Sequence, residues 1–142
     1  PRTTSTEPRS KPLPSPREDV QARIDAIESS YEFFLAYAAQ GLTTDQGAKS
    51  GAQLRDFLQK LEGALEGLAD RVAEAAAGRE PEAAWSEMVE VVRADARAAA
   101  AAVRLVSARS GIGSQIIDNL NANIHLRALL TDLFLVDDLL GG

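Results

Sequence analysis

From Pro16 onward, apolar residues return every three or four positions, and nowhere does the chain alternate with the period of two that a strand requires. The first such run is introduced by Ser15-Pro16-Arg17-Glu18, which has the form of a capping box with proline in the first turn. Ile24, Ile27, Tyr31, Phe34 and Ala38 then share one face, while Asp25, Glu28 and Glu32 point elsewhere. Phe33 and Leu35 widen the stripe enough to touch two neighbours, and Gly41 is a stop signal. The pattern predicts a helix over about 16–40.

Thr43 with Gln46 gives a weaker capping box for a second helix, expected over about 45–77. Gly51, Leu54, Leu58, Leu61, Leu65, Leu68, Val72 and Ala75 keep a heptad rhythm, the signature of coiled-coil-like packing. Gly63 and Gly67, four apart on the opposite face, read as tolerated surface glycines inside this helix. Glu80-Pro81 opens a third helix, over about 81–109, with Trp85, Met88, Val89, Val92, Ala96, Ala99, Val103 and Val106 on one side. Ser110 to Ser114 is a glycine-containing turn.

The fourth helix is expected over about 115–140. Ile116, Ile117, Leu120 and Ile124 form a stripe in its first half. In its second half the apolar residues cover nearly the whole circumference, and such a helix must be covered on several sides. It is too short to cross a bilayer, because fifteen residues reach about 22 Å at 1.5 Å each. One bundle of this size covers one or two faces of it, so the remainder is expected to meet a partner. Leu126, Leu129, Leu130, Leu133, Phe134, Val136 and Leu140 are the candidate partner-binding residues. Four long helices with short connections predict an all-α fold, an antiparallel up-down-up-down four-helix bundle over 15–142.

Ahead of it, residues 1–14 read PRTTSTEPRSKPLP, a Pro/Ser/Thr-rich arm in which only Leu13 is a large apolar residue. Such a segment buries too little surface to offset its ordering entropy and is expected to be disordered or extended. Up to Arg17 it holds Arg2, Arg9, Lys11 and Arg17 against Glu7, a net +3. The whole chain is −6, so the rest carries −9. A basic arm on an acidic body suits docking to an acidic patch, with Arg9, Lys11 and Leu13 as its candidate contacts.

The composition fits this architecture: of 142 residues, 25 are Ala and 17 are Leu, both strong helix formers. It also narrows the chemistry. There is no cysteine, which removes disulfides and thiolate ligands, and His125 is the only histidine. His125 with Asp118 and Asp132, each seven residues away, is a poor metal site, and no metal or other cofactor is expected. The acid pairs Glu28/Glu32, Glu62/Glu66 and Glu87/Glu90 read as solvated faces. Arg93, Arg97 and Arg104 form a stripe on the third helix, better suited to ion pairing than to nucleic acid in an acidic chain without interleaved aromatics. The terminal Gly141-Gly142 reads as a helix stop.

With no signal-peptide pattern and no apolar run of eighteen residues, a cytoplasmic chain is expected. The function expected is a non-catalytic accessory or scaffold subunit that assembles with itself or with a larger protein complex, and nucleic acid is not an expected partner. The alternatives are a coat on a lipid or polymer surface through peripheral contact, or a bundle holding a small hydrophobic ligand. Tyr31, Phe34, Trp85, Met88 and Phe134 would wall the latter.

Overall fold

The structure, a computed structural model, describes residues 13–141. Helix α1 (Pro16–Ala39) starts where the sequence signals it. The Ser15 hydroxyl accepts from the Glu18 N–H at 3.1 Å, and the Glu18 carboxylate accepts from the Ser15 N–H at 2.9 Å, so two orphan donors of the first turn are satisfied reciprocally. Val20, Ile24, Ile27, Phe34 and Tyr37 form its buried face, whereas Leu35 points into solvent. Phe33 stacks on Phe57 of the next helix with ring centroids 4.5 Å apart.

Two of the four expected helices are broken. The second becomes α2 (Lys49–Leu65) and α3 (Leu68–Ala75), separated at Gly67, whose φ of +72° lies in the left-handed region. A side chain is strained there, so this glycine ends one helix and starts another. Arg23 of α1 holds the break. Its guanidinium donates to the carbonyls of Ala64 (3.0 Å) and Glu66, which the end of α2 leaves free. Asp19 orients Arg23 at 2.7 Å and also accepts from Arg71 of α3 at 2.9 Å. The Arg23 hydrogen bond, followed by that from Arg71, outweighs burial and holds the Asp19 carboxyl below its ordinary value. The heptad leucines survive the break: Leu54, Leu58, Leu61, Leu65, Leu68 and Val72 are all buried.

After α4 (Glu82–Ser107), the fourth expected helix divides into α5 (Ser114–Asn121) and α6 (Ile124–Gly141). Asn123 sits at the joint, and its side-chain oxygen accepts from the backbone N–H groups of His125 (3.0 Å) and Leu126 (3.2 Å). This is an asparagine N-cap, which starts a new helix instead of continuing the old one. The second helix also begins four residues later than expected. The Thr43/Gln46 capping box does not form. Gln46 N–H bonds to Thr44 instead, and residues 42–48 make a loop.

The described residues are therefore all-helical, with six helices and no strand. Helix α1 packs on α2, α3, α5 and α6, and α4 packs on the same four. One core of leucine, isoleucine, valine and alanine side chains runs between them.

Candidate interaction face

The structure divides the residues expected to bind a partner. Leu126, Leu129, Leu130, Leu133, Val136 and Leu140 are buried inside the chain itself. Spaced three and four apart, they form the inward face of α6 and join the core. This corrects the expectation that they present surplus surface. Phe134 alone of that set is exposed. Leu13 is also exposed, and Arg9 and Lys11, with the rest of 1–12, lie outside the described residues.

The exposed apolar surface lies elsewhere. Eight large hydrophobic residues are exposed among the described ones, and six belong to two helices: Val91 and Leu105 on α4, and Ile124, Phe134, Leu135 and Leu139 on α6. Leu139 is 53 % exposed and Leu135 51 %, whereas Leu133 is fully buried. Helices α4 and α6 pack on each other. Where the start of α4 meets the end of α6, Pro81, Ala84, Trp85, Met88 and Leu139 line an open cavity of about 530 Å³. Arg79 donates to the carbonyls of Leu139 (3.3 Å) and Leu140 (2.8 Å) and closes this end. Of the side chains expected to wall a ligand, Trp85 and Met88 share this cavity. Phe34 is fully buried in the core, and Tyr31 and Phe134 are not among the cavity's lining residues.

Further along the same seam, Asp132 of α6 meets Asp95 of α4. Burial first, and then the hydrogen bond to Asp95 and its charge, push the Asp132 carboxyl up to about 7. Two carboxyl groups this close cannot both ionise freely. One Asp132 oxygen is buried and has no hydrogen-bond partner. Among the described residues, no salt bridge reaches either carboxyl group, and no group of three or more metal-ligating side chains exists. His125 is exposed, and its backbone N–H is held by Asn123.

The arginine stripe of α4 faces the other way, toward the break at Gly67. Arg93, Arg97 and Arg104 line an open groove of about 460 Å³ with Glu62, Glu66 and Asp70, so the charges nearly cancel. Arg93 is engaged by Asp70 at 2.9 Å and Glu90 at 3.3 Å.

The opposite end of the molecule carries a polar clasp instead. Asp45 accepts from Arg55 Nε at 2.9 Å and from the Ile112 N–H at 2.7 Å. Arg55 extends to the carbonyls of Ser107 and Arg109, each at 2.9 Å, so one guanidinium ties the end of α4 to the loop before α2. The Arg55 hydrogen bond is the largest influence on Asp45 and holds its carboxyl low against burial. The Tyr37 hydroxyl donates to the Ile112 carbonyl, and the Ser114 hydroxyl donates to the Tyr37 carbonyl, both at 2.7 Å. Every donor and acceptor named in this clasp is matched within the chain, which identifies it as a fastening and not as a site awaiting a ligand.

Sequence reasoning missed Val91, Asp95, Leu105, Leu135 and Leu139 as surface residues. Leu135 and Leu139 stand within the apolar run that drew attention to α6. Which of its leucines face outward depends on the start point and rotation of α6, and the Asn123 cap sets the first of these. No known protein family, curated protein or solved structure matches the chain. No helix among the described residues is long and apolar enough to cross a membrane.

Proposed function

We propose that this chain is a non-catalytic helical accessory subunit that binds another protein through the outer face of α4 and α6. The observation that carries the reading is the concentration of exposed large apolar residues on these two adjoining helices, next to an open apolar cavity. Contiguous apolar surface of this kind on a small chain marks a contact site. The reading takes the six helices as four antiparallel rods, with α2–α3 and α5–α6 as broken rods. Contacts between ends support that arrangement: Ser50 with Gln40, Arg55 with the Ser107 carbonyl, Arg79 with the Leu140 carbonyl and Arg17 with Asp137. Such a scaffold holds the outer face rigid, which lowers the entropy lost on binding.

Native mass spectrometry of the protein isolated with its partners tests this. The expected result is a species well above the 15.1 kDa of the chain that disappears in the Leu135→Asp/Leu139→Asp variant while helical circular dichroism persists. Leu133→Asp serves as the contrast, since a charge at that fully buried position is expected to unfold the chain. A bare 15.1 kDa chain from its native source would sink the proposal.

A further inference from the structure

The α4–α6 seam has a register. On α4, Met88, Val91 and Asp95 follow one another at three and four residues, and on α6 Asp132, Leu135 and Leu139 do the same. The two series run in opposite directions. Met88 and Leu139 line the same cavity, and Asp95 hydrogen-bonds Asp132, so these pairs form two rungs of one groove. Val91 and Leu135, both exposed, occupy the interval between the rungs. Each end rung is seven residues from the other on both helices, about 10 Å at 1.5 Å per residue.

We propose that this groove receives an amphipathic helix of a partner protein. That helix carries an apolar anchor for the Trp85–Met88–Leu139 cavity and, two turns away, a lysine or arginine that caps the Asp95–Asp132 pair. This rests on the reading of α4–α6 as a docking face and adds the chemistry of the occupant. Charge complementarity carries it. Two carboxyl groups sharing one proton still bear a negative charge, and no basic side chain of the described residues forms a salt bridge with either. A long basic side chain lays its methylenes over Val91 and Leu135 while its head reaches the carboxylates. A second copy of this chain meeting face to face would bring one acid pair against another, a repulsive contact that disfavours self-association here. An anionic lipid surface is repelled for the same reason.

The test titrates full-length protein with alanine-based helical peptides of about 20 residues bearing one leucine anchor, followed by fluorescence anisotropy. One peptide places Lys seven residues from the anchor, a second places Gln there, and a third moves the Lys to the opposite face. The expected result is that the first binds about tenfold more tightly than the other two. This preference should vanish in the isosteric Asp95→Asn/Asp132→Asn variant, which retains helical circular dichroism. Equal affinity of the Lys and Gln peptides overturns the basic-residue assignment and leaves the apolar docking face standing. Binding of none of the peptides overturns the groove as a helix receptor, and so does dimerisation lost with Leu139→Ser or flotation on vesicles of phosphatidylcholine and phosphatidylserine. The protein-binding reading then depends on the native mass alone.

Discussion

The two ends of the molecule treat buried polarity in opposite ways. At the clasp, Asp45 has a cation and a backbone N–H, Arg55 has carbonyls on two residues of a distant loop, and Tyr37 and Ser114 are each hydrogen-bonded. Along the outer α4–α6 seam, two acids face each other, one oxygen has no partner, and leucines stand in solvent. A buried charge with its partners is tolerated, and one without them is expensive. The first region is finished by the chain's own residues, whereas the second gains from something the chain does not supply. Their difference locates function more sharply than either region does alone.

The largest effect that would break this contrast is expected at Gly51, in the first turn of α2. A Cβ there would sit 1.9 Å from the Asp45 carbonyl oxygen, which is backbone and cannot move aside cheaply. Gly51→Ala should destabilise the chain by about 3 kcal/mol in urea unfolding, near the upper end for overpacking. If stability is unchanged, the loop of residues 42–48 is not held as described. Next comes Asp45→Ala, which strands a half-buried Arg55 and the Ile112 N–H. A loss of about 2 kcal/mol is expected, discounted because Arg55 is partly in water.

At the seam the sign reverses. Asp132 holds its proton up to about 7 in the folded chain, above its ordinary value of 3.8. The folded state therefore binds more protons than the unfolded state between these two values, and stability falls as pH rises through that window. Asp132→Asn removes the penalty and should stabilise the protein by about 1 kcal/mol at pH 8, with little gain at pH 4. Asp45 runs the other way: its lowered carboxyl contributes stability above 3.8 that is lost as pH falls through its folded value. Urea midpoints of the two variants across pH 3–9 should diverge in opposite directions, and parallel curves would abolish the distinction between clasp and seam. The smallest effect is expected for Leu135→Ser, within about 0.5 kcal/mol because the side chain is half in solvent, while binding through the face is lost.

Much of this fold was legible in the sequence. The Ser15–Glu18 box, the heptad leucines of α2–α3 and the alanine-rich stripe of α4 each specify their element locally, because capping and periodicity act within a few residues of chain. The breaks were less legible. Gly67 and Asn123 read as ordinary positions within long helices, and they become joints only because Arg23 supplies donors to the end of α2 and Asn123 caps a redirected α6. The leucines of α6 were seen as a group, but not which of them face inward.

The sequence alone therefore determined that the chain is helical and where apolar material accumulates, since both follow from spacing and composition. Only the tertiary structure decided that Leu133 is core and Leu135 is surface, and that Asp95 lies against Asp132 across 37 intervening positions of numbering. These facts depend on the rotation and register of helices distant in sequence. Packing between elements sets both, and no pattern within one element records them.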